Sequence, residues 1–464
     1  MKKFVFVSII IPVLLCSCDE TFLDQEKPLV STEAMIYTDA ARTEMALFGL
    51  YGTLKGADLF GGRTYIAFDV LGDDFINLDP NGVTLYNTYI MQVESTTQEN
   101  LAAWAPAYLV INRANVFLES LEAYNTAEVI GNDLAKRYIA EAKFVRALTY
   151  YYLVSMYSEP YKLNKAAKAI PLRLTAIKEN GHSDKACATN AKIYETILSD
   201  LADITALPND AKVKTRATQA AANMLKMRVY MAMENWPSAI TAGEAITGYS
   251  LVDDVAAQWS APFTTDESIY SFPHASTDRP GTQRAPWEYY YNGRILILDE
   301  VNGVMSYPNY SLAKDKRVDK LIDVDGKDDK ILLKFPDRLN WTPIFRFAET
   351  KLNLAECYAQ NNRVEDARTA LSDVRRRSIA LADDPIDIST LSGADLLGAI
   401  SLEKRLEFLG EGMRGLEIRR KGETFFKTGS LTGEVTVAPG SQFYYWPLPE
   451  DERVNNSLWN QLEP

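Results

Sequence analysis

Apolar residues recur every three to four positions along most of this chain, the spacing that lines one face of an α-helix. TEAMIYTDAARTEMALFGLYGTLKG (Thr32–Gly56) keeps that period throughout and stops at Gly56, which predicts one helix. NLAAWAPAYLVINRANVFLESLEAY (Asn100–Tyr124) and NDLAKRYIAEAKFVRALTYYYLVSMYSEP (Asn132–Pro160) predict two longer helices, the second capped by Asn132 or Asp133 and closed by Pro160. Two later segments match each other without a gap, NMLKMRVYMAMENWPSAITAGEAI (Asn223–Ile246) and TKLNLAECYAQNNRVEDARTALSDV (Thr350–Val374). In each, a tyrosine precedes an alanine by nine positions across a short polar turn, Tyr230 to Ala239 and Tyr358 to Ala367. A ring filling one helix face and a small residue admitting the partner helix is the logic of a tetratricopeptide-like hairpin. AKFVRALTYYYLVSMY (Ala142–Tyr157) is a third candidate first helix. Long insertions separate the units, so a regular solenoid is not expected.

Two stretches break the helical period. Residues 57–100 are rich in Gly, Asp, Asn and Tyr, and residues 250–345 combine Pro, Gly, Trp and Tyr with short β-like runs such as SIYSF and KILLKF. Loop-rich segments of this length inside a compact protein tend to carry function. The expected architecture is a single domain over 34–464, mostly α. Its helical scaffold lies mainly at 34–250 and 343–425, and its ligand-side insertions at about 57–100 and 250–342. Cys187 and Cys357 fall in helix-like segments and read as two buried thiols, with one disulfide as the alternative.

The N-terminus changes the picture of where the protein works. Lys2 and Lys3 precede an apolar run of 12 residues, Phe4 to Leu15. A membrane span needs about 20, so the run reads as a secretory signal over 1–17. It ends in LCSC, where Ser17 precedes Cys18 in a lipobox-like setting that makes Cys18 the expected lipidated residue. Residues 18–33 are acidic and aperiodic and read as a tether. The formal charge is −13, or −15 once the two lysines are removed. Such a chain lacks the basic patch that nucleic acid requires. Its two histidines, His182 and His274, give little support to a catalytic triad or a His-rich metal site.

The remaining chemistry is weak except at aromatic–polar clusters. NLDPNG (Asn77–Gly82) begins like a calcium loop, but Thr88 stands where a closing Glu is needed, so a turn is expected. DVDGKDD (Asp323–Asp329) reads as a hairpin turn at Asp325-Gly326. LYNTYIMQ (Leu85–Gln92) reads as a strand with one buried face, with a sugar-stacking surface as the alternative. WEYYYNGR (Trp287–Arg294) supports two readings: such a strand, or a surface on which sugar rings stack while neighbouring planar groups bind hydroxyls. On the second reading the ligand-binding residues are Trp287, Tyr289, Tyr291, Asn292 and Arg294, joined by the paired carboxylates Asp73 and Asp74 of the first insertion. No catalytic residue, metal or cofactor is assigned. The carboxylate pair leaves a lipid-anchored glycoside hydrolase as an alternative.

Six segments in order carry a family resemblance: the lipobox followed by DETFLD, then INRANVFLESL, EAKFVRALTYYYLVSMY, NLAECYAQNNRVEDARTALSDVRRRS, ISLEKRLEFLGEGMRG and YYWPLPEDERVNN. The chain resembles the SusD/RagB nutrient-uptake lipoproteins of Bacteroidetes outer membranes. The resemblance implies an α-α superhelix of four tetratricopeptide-like pairs with an irregular, loop-rich C-terminal half. It implies a non-catalytic lipoprotein on the extracellular face of the outer membrane. Such a protein binds an oligosaccharide, or in some members a peptide or glycoprotein glycan, and passes it to a SusC-like TonB-dependent transporter. It also makes the charged segment LEFLGEGMRGLEIRRKG (Leu406–Gly422) a scaffold signature, led in by an approximate Ser392/Asp395 capping box. The segment departs from the family pattern at Gly415, where an aromatic is usual.

Overall fold

The computed structural model describes residues 32–463 apart from 180, 182, 308–313, 431 and 432. Cys18, the signal segment and His182 therefore lie outside the described residues. The first apolar period is broken once. The Thr32 hydroxyl accepts the Met35 N–H at 3.3 Å to cap α1 (Glu33–Tyr37). Asp39 accepts the Arg42 N–H at 2.9 Å and starts α2 (Ala40–Leu54) afresh. An Asp within a helical period competes for backbone N–H groups, so the single helix expected over Thr32–Gly56 is two. α3 (Arg63–Leu71), β1 (Phe75–Asn77) and α4 (Tyr86–Tyr89) follow. α3 falls where the sequence shows no helical period. Every one of its residues is buried, and a helix covered on all sides needs no one-sided apolar stripe. LYNTYIMQ is likewise no strand. Leu85 and Met91 take left-handed conformations at φ 60° and 56° around α4, although Leu85, Tyr89 and Met91 are buried as a one-faced segment requires.

α5 (Gln98–Ala123) and α7 (Asn132–Tyr157) are the two long helices, with α6 (Thr126–Ile130) between them. β2 (Lys168–Pro171) pairs antiparallel with β3 (Cys187–Thr189), which leads into α8 (Asn190–Asp200). Cys187 thus sits in a strand rather than a helix, and both it and Cys357 are buried free thiols. α9 (Gln219–Ala232) and α10 (Trp236–Glu244) form the first repeated hairpin. The irregular region holds β4 (Ser268–Phe272), β5 (Leu296–Leu298), α11 (Lys316–Leu321), β6 (Ile322–Val324) and β7 (Lys330–Leu332). β8 (Thr342–Arg346) then pairs with β4 and runs into the second hairpin, α12 (Phe347–Gln360) and α13 (Val364–Ser378). α14 (Gly393–Glu407), α15 (Arg414–Lys421), the β9 (Phe425–Ser430) and β10 (Gly433–Val437) pair and α16 (Glu450–Asn455) complete the chain. Among the described residues every sheet is a two-stranded antiparallel pair. The fold is mostly α, as expected.

The two repeated hairpins close with the same backbone turn. The Asn235 N–H donates to the Tyr230 carbonyl at 2.9 Å and Glu234 is left-handed at φ 56°. The Arg363 N–H donates to the Tyr358 carbonyl at 2.8 Å and Asn362 is left-handed at φ 59°. Both are Schellman closures in which a residue other than glycine takes the left-handed position. Ala239 and Ala367 are fully buried between the paired helices. The β6–β7 connection is a hairpin, but its left-handed residue is Asp328 at φ 65°, not Gly326, so the loop is longer than a two-residue Asp-Gly turn.

The charged signature is internal to the fold. Glu407 accepts hydrogen bonds from Arg346 Nη2 at 3.0 Å and Arg317 Nη1 at 3.1 Å, and also pairs with Arg377. Glu403 accepts from Arg317 Nη1 and Arg375 Nη1, both at 2.8 Å. Glu411 accepts from Arg346 Nε and Lys334 Nζ at 2.7 Å each. On α15, Glu417 accepts from Arg420 Nε at 2.9 Å, and Arg420 Nη2 reaches Glu356 at 2.5 Å. Buried charges persist only when paired in this way. The Ser392 side chain, by contrast, accepts no capping hydrogen bond, because Gly393 enters the helix at φ 52° and leaves its first turn irregular. Gly415 has a packing reason. A Cβ there would lie 2.4 Å from the Phe68 carbonyl oxygen, so α15 can rest on α3 only without a side chain at that position.

Candidate functional site

The two loop-rich insertions, over two hundred residues apart in sequence, meet in the structure. β1 pairs with β5 in the register Phe75–Leu298, Ile76–Ile297 and Asn77–Leu296. The contact continues on both sides of the ladder: the Leu78 N–H donates to the Ile295 carbonyl and the Asp299 N–H to the Asp74 carbonyl, each at 2.9 Å. Arg63 Nε also donates to the Gln283 carbonyl at 3.1 Å. NLDPNG closes this edge as a turn of its own side chains: Asn77 Nδ2 donates to the Thr84 carbonyl at 2.8 Å and Asn81 Nδ2 to Asp79 Oδ1 at 2.7 Å.

WEYYYNGR is neither strand nor ordinary helix. It forms one wide helical turn over Glu288–Asn292, closed by the Gly293 N–H on the Glu288 carbonyl at 2.9 Å. That turn sorts its three tyrosines. Tyr290 points into the core, stacks with Phe335 at 5.7 Å and donates its hydroxyl to Asp69 Oδ2 at 2.6 Å. Tyr289 is also fully buried, its hydroxyl 3.4 Å from the Val83 carbonyl beside the NLDPNG turn, and burial pushes its pKa up. Tyr291 and Asn292 face solvent, and Trp287 is half-buried. Among the described residues, no hydrogen bond engages the Trp287 indole N–H, the Tyr291 hydroxyl or the Asn292 amide. Arg294, left-handed at φ 49°, reaches across to the β6–β7 loop and donates through Nη1 to Asp325 at 2.9 Å.

Asp73 and Asp74 have another task. Arg405 Nη2 and the Val304 N–H both donate to Asp74 Oδ1 at 2.7 Å. Arg414 holds Asp73 through Nε at 2.6 Å and Nη2 at 2.9 Å. Burial would raise the Asp73 pKa, but the Arg414 hydrogen bonds and the charges of Arg414 and Arg405 outweigh it and keep the carboxyl below the usual range. The structure thus brings Trp287, Tyr291, Asn292 and Arg294 to one exposed turn. It buries Tyr289 beneath them and commits both aspartates to arginines. An unbroken run of tyrosines gives no sequence signal for which ring faces outward, because a five-residue helical turn has neither the strand nor the α-helical period.

The family model described as starch-binding associating with outer membrane matches residues 22–231, and the SusD family model matches residues 317–463. A SusD superfamily protein from Bacteroides fragilis is 48% identical, with a TM-score of 0.87, over 92% of this chain and 100% of its own. The chain belongs to the SusD family. The same fold persists in solved structures of much lower identity. A surface glycan-binding protein from Bacteroides uniformis shares the SusD fold of this chain at 19% identity, with a TM-score of 0.70 over 90% of this chain and 98% of its own. SusD-like protein P25 of Formosa agariphila is 26% identical over 235 residues, 48% of this SusD-family chain. The match spans 42% of that relative's length, so the chain aligns with less than half of the curated relative.

Proposed function

We propose that this SusD-family protein is a lipid-anchored lipoprotein of the outer-membrane surface that binds oligosaccharides and delivers them to a SusC-like TonB-dependent transporter. The observation that carries the binding reading is the Trp287–Arg294 turn, where exposed aromatic surface stands beside a free indole N–H, a free amide and a guanidinium with donors to spare. Sugars need that combination of flat apolar face and planar polar groups. The binding residues on this reading are Trp287, Tyr291, Asn292 and Arg294; Tyr289 supports them from below. Commitment of Asp73 and Asp74 to arginines argues for binding rather than glycoside hydrolysis, which needs one carboxyl free to donate a proton. Family membership supports the glycan class and the outer-membrane setting. No helix of the described residues is long and apolar enough to cross a membrane, and Cys18 supplies the anchor on this reading.

Calorimetric titration of the detergent-purified full chain with a panel of labelled oligosaccharides tests the site. Trp287→Ala is expected to weaken binding at least about tenfold, roughly 1.4 kcal/mol, with an unchanged melting temperature. A large drop in melting temperature with unchanged affinity would place the indole in the core and remove the site. Release of shortened sugars during the titration would instead mark a hydrolase. Anchoring is checked separately: Cys18→Ala should move the protein from the membrane pellet to the soluble fraction, in a strain lacking the transporter.

A further inference from the structure

A cleft of about 460 Å³, lined in part by the arginines that Asp73 and Asp74 hold, opens between the first repeated hairpin and the C-terminal helices. That volume falls in the range of small-ligand sites, about 300–1,000 Å³. Its cationic wall is Arg405, Arg414, Arg420 and Lys421, and its aromatic wall is Trp236 with Tyr307 at the rim.

The three arginines are fixed from behind. Asp73 and Asp74 hold Arg405 and Arg414, while Glu356 and Glu417 hold Arg420. Each guanidinium spends its Nε and Nη2 on those carboxylates. Among the described residues no hydrogen bond engages the Nη1 of any of them, and the carboxylate paired with Arg414 Nη1, that of Glu423, stands 4.0 Å away. Lys421 Nζ donates to Ser401 Oγ at 3.0 Å and has donors left. Glu356 is the carboxylate deepest in the wall, and both its oxygens are taken, by Lys404 and Arg420 at 2.5 Å each. At the rim Glu234 is neutralised by Lys162 at 2.8 Å. The inner wall therefore offers fixed donors with few free acceptors, Glu423 being, among the described residues, the lining carboxylate that has no hydrogen-bonded cation. A neutral hydroxyl needs both to satisfy its lone pairs and its proton, whereas an oxyanion only accepts. Because the forks are already immobilised, a bound oxyanion does not pay to order them. Trp236, half-buried at the start of α10, adds a flat ring face whose indole N–H makes no hydrogen bond within the described residues.

We propose that this cleft binds an acidic sugar, with the sugar ring against Trp236 and its carboxylate or sulfate on the free edges of Arg405, Arg414 and Arg420 and on Lys421. This site is separate from the Trp287–Arg294 turn and does not depend on it. It also gives Asp73 and Asp74 a role: they position the arginines that meet the ligand.

Titration of the full chain with trigalacturonate, with its methyl ester, and with a sulfated disaccharide tests the proposal and separates carboxylate from sulfate. At least one acidic probe is expected to bind at least about tenfold more tightly than the neutral ester. Trp236→Ala and Lys421→Met should each weaken that binding about tenfold, and Lys421→Met, at a partly exposed position, should melt as the parent does. Equal affinity for the ester and both acidic probes, or no binding of any of them, overturns the proposal. So does loss of acidic-probe binding in Trp287→Ala together with its retention in Trp236→Ala and Lys421→Met, since the anion would then sit at the other surface.

Discussion

Arg346 shows how much a single side chain can hold in this fold. It donates to Glu411 through Nε and Nη2 at 2.7 Å each, to Glu267 at 2.9 Å and to Glu407 at 3.0 Å, and its guanidinium lies 5.1 Å from the Phe408 ring centre. Removing one partner of a buried pair strands the other charge, at a cost of about 3–5 kcal/mol. Arg346→Met is therefore expected to lower the unfolding free energy by that amount in a urea titration. Lys192→Ala, which breaks the exposed pair with Glu195, should change it by no more than about 1 kcal/mol. The same logic separates Asp73 and Asp74 from surface acids. Their sequence neighbourhood looks like a loop with two free carboxylates, and only the arrival of Arg405 and Arg414 from the far end of the chain shows that they are spent.

At the scale of elements, close approach and turn geometry give the sharpest expectations. An alanine Cβ at 415 would also lie 2.9 Å from the Leu71 Cβ, so neither helix can yield locally. Gly415→Ala should cost about 1–3 kcal/mol and drag Arg414 off Asp73, visible as a lower melting temperature. In the second hairpin Asn362 already occupies a left-handed position, which glycine adopts without strain. Asn362→Gly should therefore be neutral or stabilise by roughly 0.5 kcal/mol, whereas Asn362→Val should destabilise, as differential denaturation curves would show. These elements also show what could be read from the sequence. The repeated hairpins and the long helices α5 and α7 were legible because each carries its own period, and the strand in SIYSF because β-branched and aromatic residues dominate it. α3 was not, because a helix buried on every side looks like a loop once glycines and aspartates flank it. Trp287, Tyr289 and Tyr291 were legible only as one aromatic cluster, and nothing in the run separated the half-buried and exposed rings from the buried one. The cleft could not be read at all: its walls come from α10, α12, α14 and α15, and periodicity within one segment says nothing about which others face it.

Across the whole molecule, paired carboxylates set the response to acid. Burial alone would raise the pKa of Glu356, but Arg420 and Lys404 outweigh it and hold it at about 2. Glu407 and Glu417 are held below the usual range by Arg377 and Arg420 respectively, again against burial. A carboxyl depressed in the folded state stabilises above its ordinary pKa, 4.5 for Glu, and loses that stabilisation as pH falls through its folded value. His274 acts in the window above. Burial, with Lys55 nearby, lowers its pKa from 6.5 to about 4, so the unfolded chain takes up a proton first and stability falls as pH drops from about 6.5 to 4. Asp69 opposes it. Burial raises its pKa from 3.8 to about 7, so the native state keeps a proton that the unfolded chain has lost, and stability rises as pH drops from about 7 to 4. The two slopes offset each other, and the melting temperature of the parent protein should change little between pH 7 and about 4.5, then fall steeply below it. Asp69→Asn removes one side of that balance. Asparagine can still accept the Tyr290 hydroxyl and the Gly412 N–H that now reach Asp69 Oδ2 at 2.6 and 2.7 Å, but it does not titrate. The variant should therefore lose melting temperature steadily from pH 6.5 to 4.5 where the parent does not. Parallel profiles for the two proteins would show that Asp69 carries its charge in the folded state and that the offset does not exist.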